Sequence, residues 1–312
     1  MDTKLSLANA NWMKDLDPRL KDVSICYLAI PGSHDSLSYS ITRQNGLSPD
    51  APNIAKIFGR FLGSFMGRIT FNWCVTQSLD IKQQFLFGIR YFDIRTARKG
   101  SKLLACHGLY GMEVIDALEE INECLNEHPE EVVILDFQHI YDFTSMDHRF
   151  LMGKIHSIFQ FKLCPEPKNV TDVTLNWLKN NRYQVIVIYR TDEIDLTSYL
   201  WHSSKWITLW PNTTNLNYLY NYLTETLRDR PENTGFVSQC LFTPSTAFIT
   251  FHILSTLKKK CCIECDLKIK SLWIKKQKSL RPDGVNVVIA DFVNLPHFDF
   301  CSTVININNC SL

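Results

Sequence analysis

Six side chains of the kinds that move protons and hold anions stand at the ends of apolar runs: His34 and Asp35, Asp93 and Arg95, His107, and Asp291. Histidine titrates near neutrality, so it can take a proton from an attacking hydroxyl or give one to a leaving alkoxide. Arginine offers a planar donor fork to phosphate oxygens, where charge gathers during transfer. An aspartate inside an apolar run, as Asp291 is in Ile-Ala-Asp-Phe at 289–292, is costly to bury unpaired, and its simplest partner is a histidine or an arginine. Two histidines with nearby carboxylates and an arginine suit a two-step phosphoryl transfer. Each residue alone is an ordinary loop or core residue; the set carries the signal.

Such a set needs elements that bring distant positions together. Apolar runs of strand length fall at 24–30, 89–96, 103–106, 131–137, 184–189, 206–210, 235–242 and 286–292. Several are continuous rather than alternating, as in Val-Val-Ile-Leu at 132–135 and Val-Ile-Val-Ile at 185–188, which is what a parallel strand covered on both faces requires. Helical spacing marks 80–87, which Gly88 closes, 113–126 and 215–228. Strands alternating with helices predict an α/β fold, a distorted or irregular TIM (β/α)8 barrel whose functional residues lie at the C-terminal ends of the strands. Asp93 and Arg95, two apart on one strand, point to one side. The link from that strand to 103–106 is too short for a helix, so the barrel is irregular there. No repeat or linker divides the chain: 1–293 reads as a single barrel and 294–312, with Asn306, Asn308 and Asn309, as a poorly ordered tail.

Composition sets outer limits. The 312 residues carry Lys+Arg 33 against Asp+Glu 32, a net charge of +1, and are 45% hydrophobic, which excludes disordered and low-complexity classes. With no whole-molecule field to draw a polyanion, no nucleic-acid partner is expected. The first eleven residues lack a secretory apolar run, so the expectation is a cytoplasmic protein. Most of the 11 cysteines are expected to be small buried residues of a reducing compartment. The one cluster, Cys261, Cys262 and Cys265 behind three lysines, reads as a solvated surface loop, with an acylated lipid contact and a metal knuckle as alternatives. Residues 53–73 are rich in aromatic and aliphatic side chains but are interrupted by Lys56, Arg60 and Arg68. No transmembrane span is expected there; the segment reads as an interfacial membrane helix or as an amphipathic helix closing one end of the barrel.

Three motifs occur in order: Ile-Pro-Gly-Ser-His-Asp-Ser at 30–36, Gly-Ile-Arg-Tyr-Phe-Asp-Ile-Arg at 88–95 and Cys-His-Gly at 106–108. Together they resemble the X-domain of phosphatidylinositol-specific phospholipase C, and more closely the stand-alone X-domain-containing proteins of animals, from about Trp12 to Val293. The resemblance implies a distorted TIM barrel that cleaves phosphatidylinositol in membranes to diacylglycerol and an inositol phosphate through a cyclic intermediate. It implies His34 as the general base, His107 as the general acid, Asp35 as the carboxylate supporting the acid, Asp291 as the one orienting the base, and Asp93 as a further acid of the site. At Arg95 the calcium-dependent eukaryotic enzymes carry an acidic metal ligand and the bacterial enzymes an arginine. The expectation is therefore metal-independent chemistry of the bacterial kind, with no cofactor.

The headgroup side departs from that pattern. Arg190 matches an arginine that binds inositol hydroxyls, but Gln138 and His139 stand near the position of a bacterial lysine. Ser-Gln-Cys-Leu-Phe-Thr at 238–243 replaces an acid and a tyrosine, with Gln239 or Phe242 as substitutes. Two other readings stand beside the phospholipase. A metal-dependent phosphodiesterase on a related barrel would want an acidic cluster where Arg95 is. A catalytically weak phosphoinositide-binding or scaffold protein at membranes would need no acid and base pair.

Overall fold

The computed structural model describes residues 9–51, 65–193, 195, 197–263, 268–269 and 272–311. Among the described residues nine strands form one sheet: β1 Ile30–Ser33, β2 Tyr91–Lys99, β3 Lys102–His107, β4 Leu109–Glu113, β5 Val133–Tyr141, β6 Val185–Tyr189, β7 Trp206–Thr208, β8 Gly235–Gln239 and β9 Val287–Ala290. Seven of them run parallel in the order β6, β5, β2, β1, β9, β8, β7. This is the irregular barrel that the apolar runs predict. Between β6 and β7 the ladder is interrupted. Trp201 makes a single parallel bridge to Ile188 there, and Arg190 reaches across to the Trp206 carbonyl at 2.8 Å.

The second irregularity is the short link anticipated after β2. The strand turns back as the antiparallel β3, and β4, which the apolar pattern does not announce, extends this flap. His107 thus reaches the barrel mouth from the end of a returning hairpin strand. The first strand is also displaced from 24–30. Ile25–Tyr27 is a 3-10 turn, and Asn286 Nδ2 holds the carbonyls of Ile25 and Leu28 at 2.9 and 2.8 Å in place of a ladder. The strand instead runs through Pro31 and Gly32, because a Cβ at Gly32 would come within 2.8 Å of the Ile289 side chain and 2.9 Å of Tyr91. Only glycine lets the three strands approach here.

Helices cover the barrel. Helix α1 (Ile81–Phe87) starts at a reciprocal Asp80/Gln83 capping box and ends at Gly88, whose φ of 116° is the left-handed stop expected of it. Helix α2 (Val114–Glu127) buries Val114, Leu118, Ile121 and Leu125. Helices α3 (Ser145–Phe159) and α4 (Leu175–Asn180) precede β6, α5 (Leu216–Arg228) is capped by Asn215, and α6 (Thr246–Phe251) follows β8. The residues expected as a poorly ordered tail differ most. Helix α7 (Phe300–Cys310) buries Phe300, Val304 and Ile307 in the same core as the barrel, and Asn308 pairs both ways with the Ala29 backbone, at 2.7 and 2.9 Å. The asparagines that look like a solvated tail include one that caps the foot of β1.

The cysteine cluster is corrected as well. Cys261 and Cys262 lie in a π-helical turn, Lys258–Cys262, and are buried, so neither offers a surface thiol for acylation. Cys265 and residues 53–64 lie outside the described residues. Of the remaining part of the 53–73 segment, Met66, Ile69 and Trp73 are buried, while Phe65 and Phe71 are exposed. Among the described residues no helix is long and apolar enough to cross a membrane.

Candidate active site

Strands β1, β2 and β9 are hydrogen-bonded neighbours, so their ends deliver His34, Asp35, Asp93, Arg95 and Asp291 to one place. The hairpin adds His107, with ring centroids of the two histidines 6.1 Å apart. All six residues named from the sequence therefore meet. Both carboxylate-bearing turns are strained: Asp35 and Phe292, the latter following Asp291, each hold φ at 42°. Such backbone persists where surrounding bonds over-determine it. Those bonds come from a segment the motifs do not mark. Gln77 Nε2 donates to the His34 carbonyl at 3.0 Å and to Ala290 at 2.9 Å, and Thr76 Oγ1 donates to the His34 carbonyl at 3.0 Å.

The two histidines meet different neighbours at their ring nitrogens. His34 Nδ1 lies 2.7 Å from Asp291 Oδ1, which can only accept, so Nδ1 carries the proton. Its Nε2 lies 2.9 Å from Arg95 Nη2, which can only donate, so Nε2 presents a lone pair. His107 Nδ1 donates to the Cys74 carbonyl at 2.6 Å. Its Nε2 then faces Asp35 Oδ2 at 3.1 Å, without the alignment of an ordinary hydrogen bond. One ring presents a lone pair beside an arginine, and the other faces a carboxylate. Burial disfavours the charged form of His34, but the Asp35 and Asp291 carboxylates outweigh it and raise its pKa. Burial pushes the Asp35 carboxyl up, and Arg95, His107 and His34 draw it back only in part.

Arg95 lies among the acceptors of this group. Nε is 2.6 Å from Asp35 Oδ1 and Nη2 is 3.4 Å from Asp93 Oδ2. Burial works against its charge, while Asp35 and Asp93 more than restore it. For Asp93 burial pulls upward, yet Arg95 and His34 win and the carboxyl is lowered. Although Asp35 is closely flanked, neither of its buried oxygens receives a hydrogen bond of ordinary geometry. It is held by charge and left with unused acceptor capacity.

The headgroup residues divide. Arg190 makes a two-pronged pair with Asp136, Nε to Oδ1 at 2.8 Å and Nη2 to Oδ2 at 2.7 Å. Tyr91 Oη donates to the same Oδ2 at 2.7 Å and Gln138 Nε2 at 3.0 Å. Gln138 is the extra residue of a bulge: Ile94 faces Phe137 but Arg95 faces His139. Gln239 Nε2 donates to Thr208 Oγ1 at 3.0 Å, on the β7–β8 side. Phe242 is only 5% exposed and packs in the core, so it does not line the mouth as a ring platform.

A mouse protein, PI-PLC X domain-containing protein 2, is 35% identical, covering 98% of this chain and 90% of its own length. The mouse protein 3 of that name is 34% identical over 98% of this chain and 95% of its own, and the mouse protein 1 is 33% identical over 97% and 87%. The chain belongs to the PI-PLC X domain-containing protein family. The X-domain fold extends to bacteria: a phosphatidylinositol-specific phospholipase C from Staphylococcus aureus superposes with a TM-score of 0.67 over 97% of this chain and 99% of its own at 17% identity. The Listeria monocytogenes enzyme superposes with a TM-score of 0.59 over 96% and 98%, also at 17% identity. No family model matches the chain. The phospholipase C-like barrel expected of this X-domain protein is therefore present.

Within this X-domain barrel, several contributors were not singled out from the sequence. Asp136 lies in an apolar run as Asp291 does, so the same cost of burying a carboxylate marks it. Asp50, whose Oδ2 accepts from the Gly108 N–H at 3.0 Å, and Cys262, whose Sγ is 3.8 Å from Asp291 Oδ2, carry no comparable signal. Gln77 is a polar residue in a loop whose importance emerges only in three dimensions.

Proposed function

We propose that this protein is a metal-independent phosphoinositide phospholipase C that cleaves phosphatidylinositol at the glycerol–phosphate ester. The observation that carries the reading is the opposed surroundings of the two histidines, a lone pair on His34 Nε2 beside Arg95 and the Asp35 carboxylate facing His107 Nε2. A site that only bound a headgroup would need no such difference.

The inositol 2-hydroxyl displaces Arg95 from His34 Nε2 and gives up its proton there. Its oxygen bonds to phosphorus, the bond from phosphorus to the glycerol oxygen breaks, and a proton carried by His107 Nε2, with Asp35 facing it, passes to that oxygen. Diacylglycerol leaves, and a cyclic inositol phosphate remains. Water then reacts with the roles of the histidines reversed. Arg95 turns its freed donors to the phosphate oxygens, supplying the charge that a calcium ion would otherwise bring. Asp291 holds the His34 tautomer, and Gln77 and Thr76 hold the turn that carries it.

Apolar side chains support an approach to a lipid surface. Trp210 follows β7 and is 56% exposed, and Phe251 and Leu254 follow β8 at 86% and 88% exposure. All three lie on segments leaving the strand ends from which His34 also projects. Exposed aromatic and aliphatic side chains are suited to shallow interfacial contact.

The test is cleavage of phosphatidylinositol in mixed micelles by the purified protein, with EGTA or with added calcium, beside His34→Ala. The expected result is equal activity in both buffers and none in the variant. Cleavage that requires calcium would overturn the metal-independent mechanism. Intact lipid binding without cleavage in either buffer would overturn the enzymatic reading in favour of a binding protein.

A further inference from the structure

The cluster around Asp136 uses the charge of Arg190 completely. Both oxygens of Asp136 accept donors: Oδ1 from Arg190 Nε, and Oδ2 from Arg190 Nη2, Tyr91 and Gln138. A carboxyl group whose two oxygens only accept is ionised. The third use of the guanidinium is the Trp206 carbonyl, which receives Nη2 at 2.8 Å. The Asp136 side chain is wholly buried, whereas Arg190 keeps about a sixth of its side-chain surface exposed, 17%. The cluster belongs to the same mouth as the histidines, since Asp136 and Asp93 are direct partners on adjacent strands. There the other guanidinium, Arg95, is already matched by Asp35 and Asp93.

We propose that Asp136 is the specificity-determining residue of the headgroup site, neutralising Arg190 so that the protein selects an inositol ring bearing hydroxyls over one bearing additional phosphates. The assignment rests on the phosphoinositide reading above and names the substrate class within it. A hydroxyl can exchange hydrogen bonds with Gln138 and with the exposed edge of Arg190 at no cost in charge. A phosphate brought to the same edge meets a guanidinium whose charge is already balanced, with a fixed carboxylate directly behind it. Like charges brought together in a partly desolvated site are strongly disfavoured. Gln138 adds no cation to offset this.

The test compares glycerophosphoinositol with its 4,5-bisphosphate by titration calorimetry on the full chain, together with cleavage of the corresponding lipids. The unphosphorylated ring is expected to be favoured by the wild type. Asp136→Asn, by releasing the Arg190 charge, should narrow the preference by about tenfold, the scale of one charge contact. Arg190→Gln in the Asp136→Asn background should restore the preference, which a mere packing defect would not do. Gln138→Lys, on the half-buried bulge, should narrow it by adding a cation while Asp136 and Arg190 stay in place, and guards against misfolding of the buried variant. Equal affinity of the wild type for both compounds, or a ratio unmoved in both Asp136→Asn and Gln138→Lys, would overturn the assignment. A preference seen in binding without cleavage of either lipid would sustain it and overturn the phospholipase reading instead.

Discussion

The β1–β9 corner and the β5–β6 corner of one barrel mouth are made from the same materials and finished differently. At β5–β6 a buried carboxylate and a guanidinium meet prong to prong, and every oxygen of Asp136 is occupied. At β1–β9 Arg95 is divided among His34, Asp35 and Asp93, and neither oxygen of Asp35 receives a well-aligned hydrogen bond. A saturated pair is rigid and cheap to keep. An unsaturated one in a low-dielectric site is costly, and that cost is recovered when charge develops on a substrate. On the function proposed above, the contrast separates a corner that recognises the headgroup from a corner that reacts.

The largest effects should follow from the reactive corner. His34→Ala and His107→Ala are each expected to lower phosphatidylinositol cleavage by roughly 10²–10⁴-fold, the contribution of one general base or acid, with circular dichroism unchanged. A folded variant at near wild-type rate would remove that histidine from the chemistry and erase the contrast. Arg95→Asp should be comparably inactive in EGTA; restoration of its rate by calcium would show that a metal can take the arginine's place. Asp291→Asn should cost less, on the order of 10²-fold. It also has a directional signature. The Asp35 and Asp291 carboxylates raise the pKa of the buried His34 against the pull of burial, so a base that must be neutral loses activity as pH falls through that raised value. Removing the Asp291 charge lowers the pKa, and the acid limb of the pH–rate profile should move to lower pH. A limb that stays in place would assign it to another group.

Smaller effects test the supports. Gly108 holds φ at 70°, and a Cβ there would come within 2.5 Å of Cys74 Sγ, beside the carbonyl that fixes His107. Gly108→Ala should cost about 1–3 kcal/mol of stability, read as a lower Tm, and should reduce turnover beyond any loss of folded protein. The smallest effect is expected at the exposed apolar side chains after β8. Phe251→Ser together with Leu254→Ser should weaken partitioning onto phosphatidylinositol vesicles by about three- to tenfold, leaving hydrolysis of a soluble headgroup ester unchanged.

The reactive corner was legible because its residues fall in short contiguous motifs at strand ends, where His34 with Asp35 and Asp93 with Arg95 announce themselves together. The recognising corner was not. Arg190 was marked, but its partner Asp136 lies one strand away inside an apolar run that reads first as core. The same argument that singles out Asp291, the cost of an unpaired buried carboxylate, applies to Asp136 with equal force. For Gln77 and Asp50 no local pattern exists, since what they hold is backbone, and backbone demand is invisible in side-chain identity. The displacement of β1 has a similar cause: Pro31 and Gly32 resemble a strand's end, yet contact with Tyr91 and Ile289 requires a strand without a side chain there. Helix α7 was hidden by its asparagines, because polarity predicts solvent unless the foot of a strand is waiting for a cap.

That cap has a consequence for the order in which the molecule is made. Strand β1 leaves the ribosome well before its second edge is completed by β9 and its foot by Asn308. At a synthesis rate of about 5–20 residues per second, the interval is on the order of tens of seconds, during which an apolar edge stays open and His34 has no Asp291 beside it. The histidine proposed as the base thus depends on a carboxylate 257 residues away along the chain, and a chain cut short before β9 carries the one without the other.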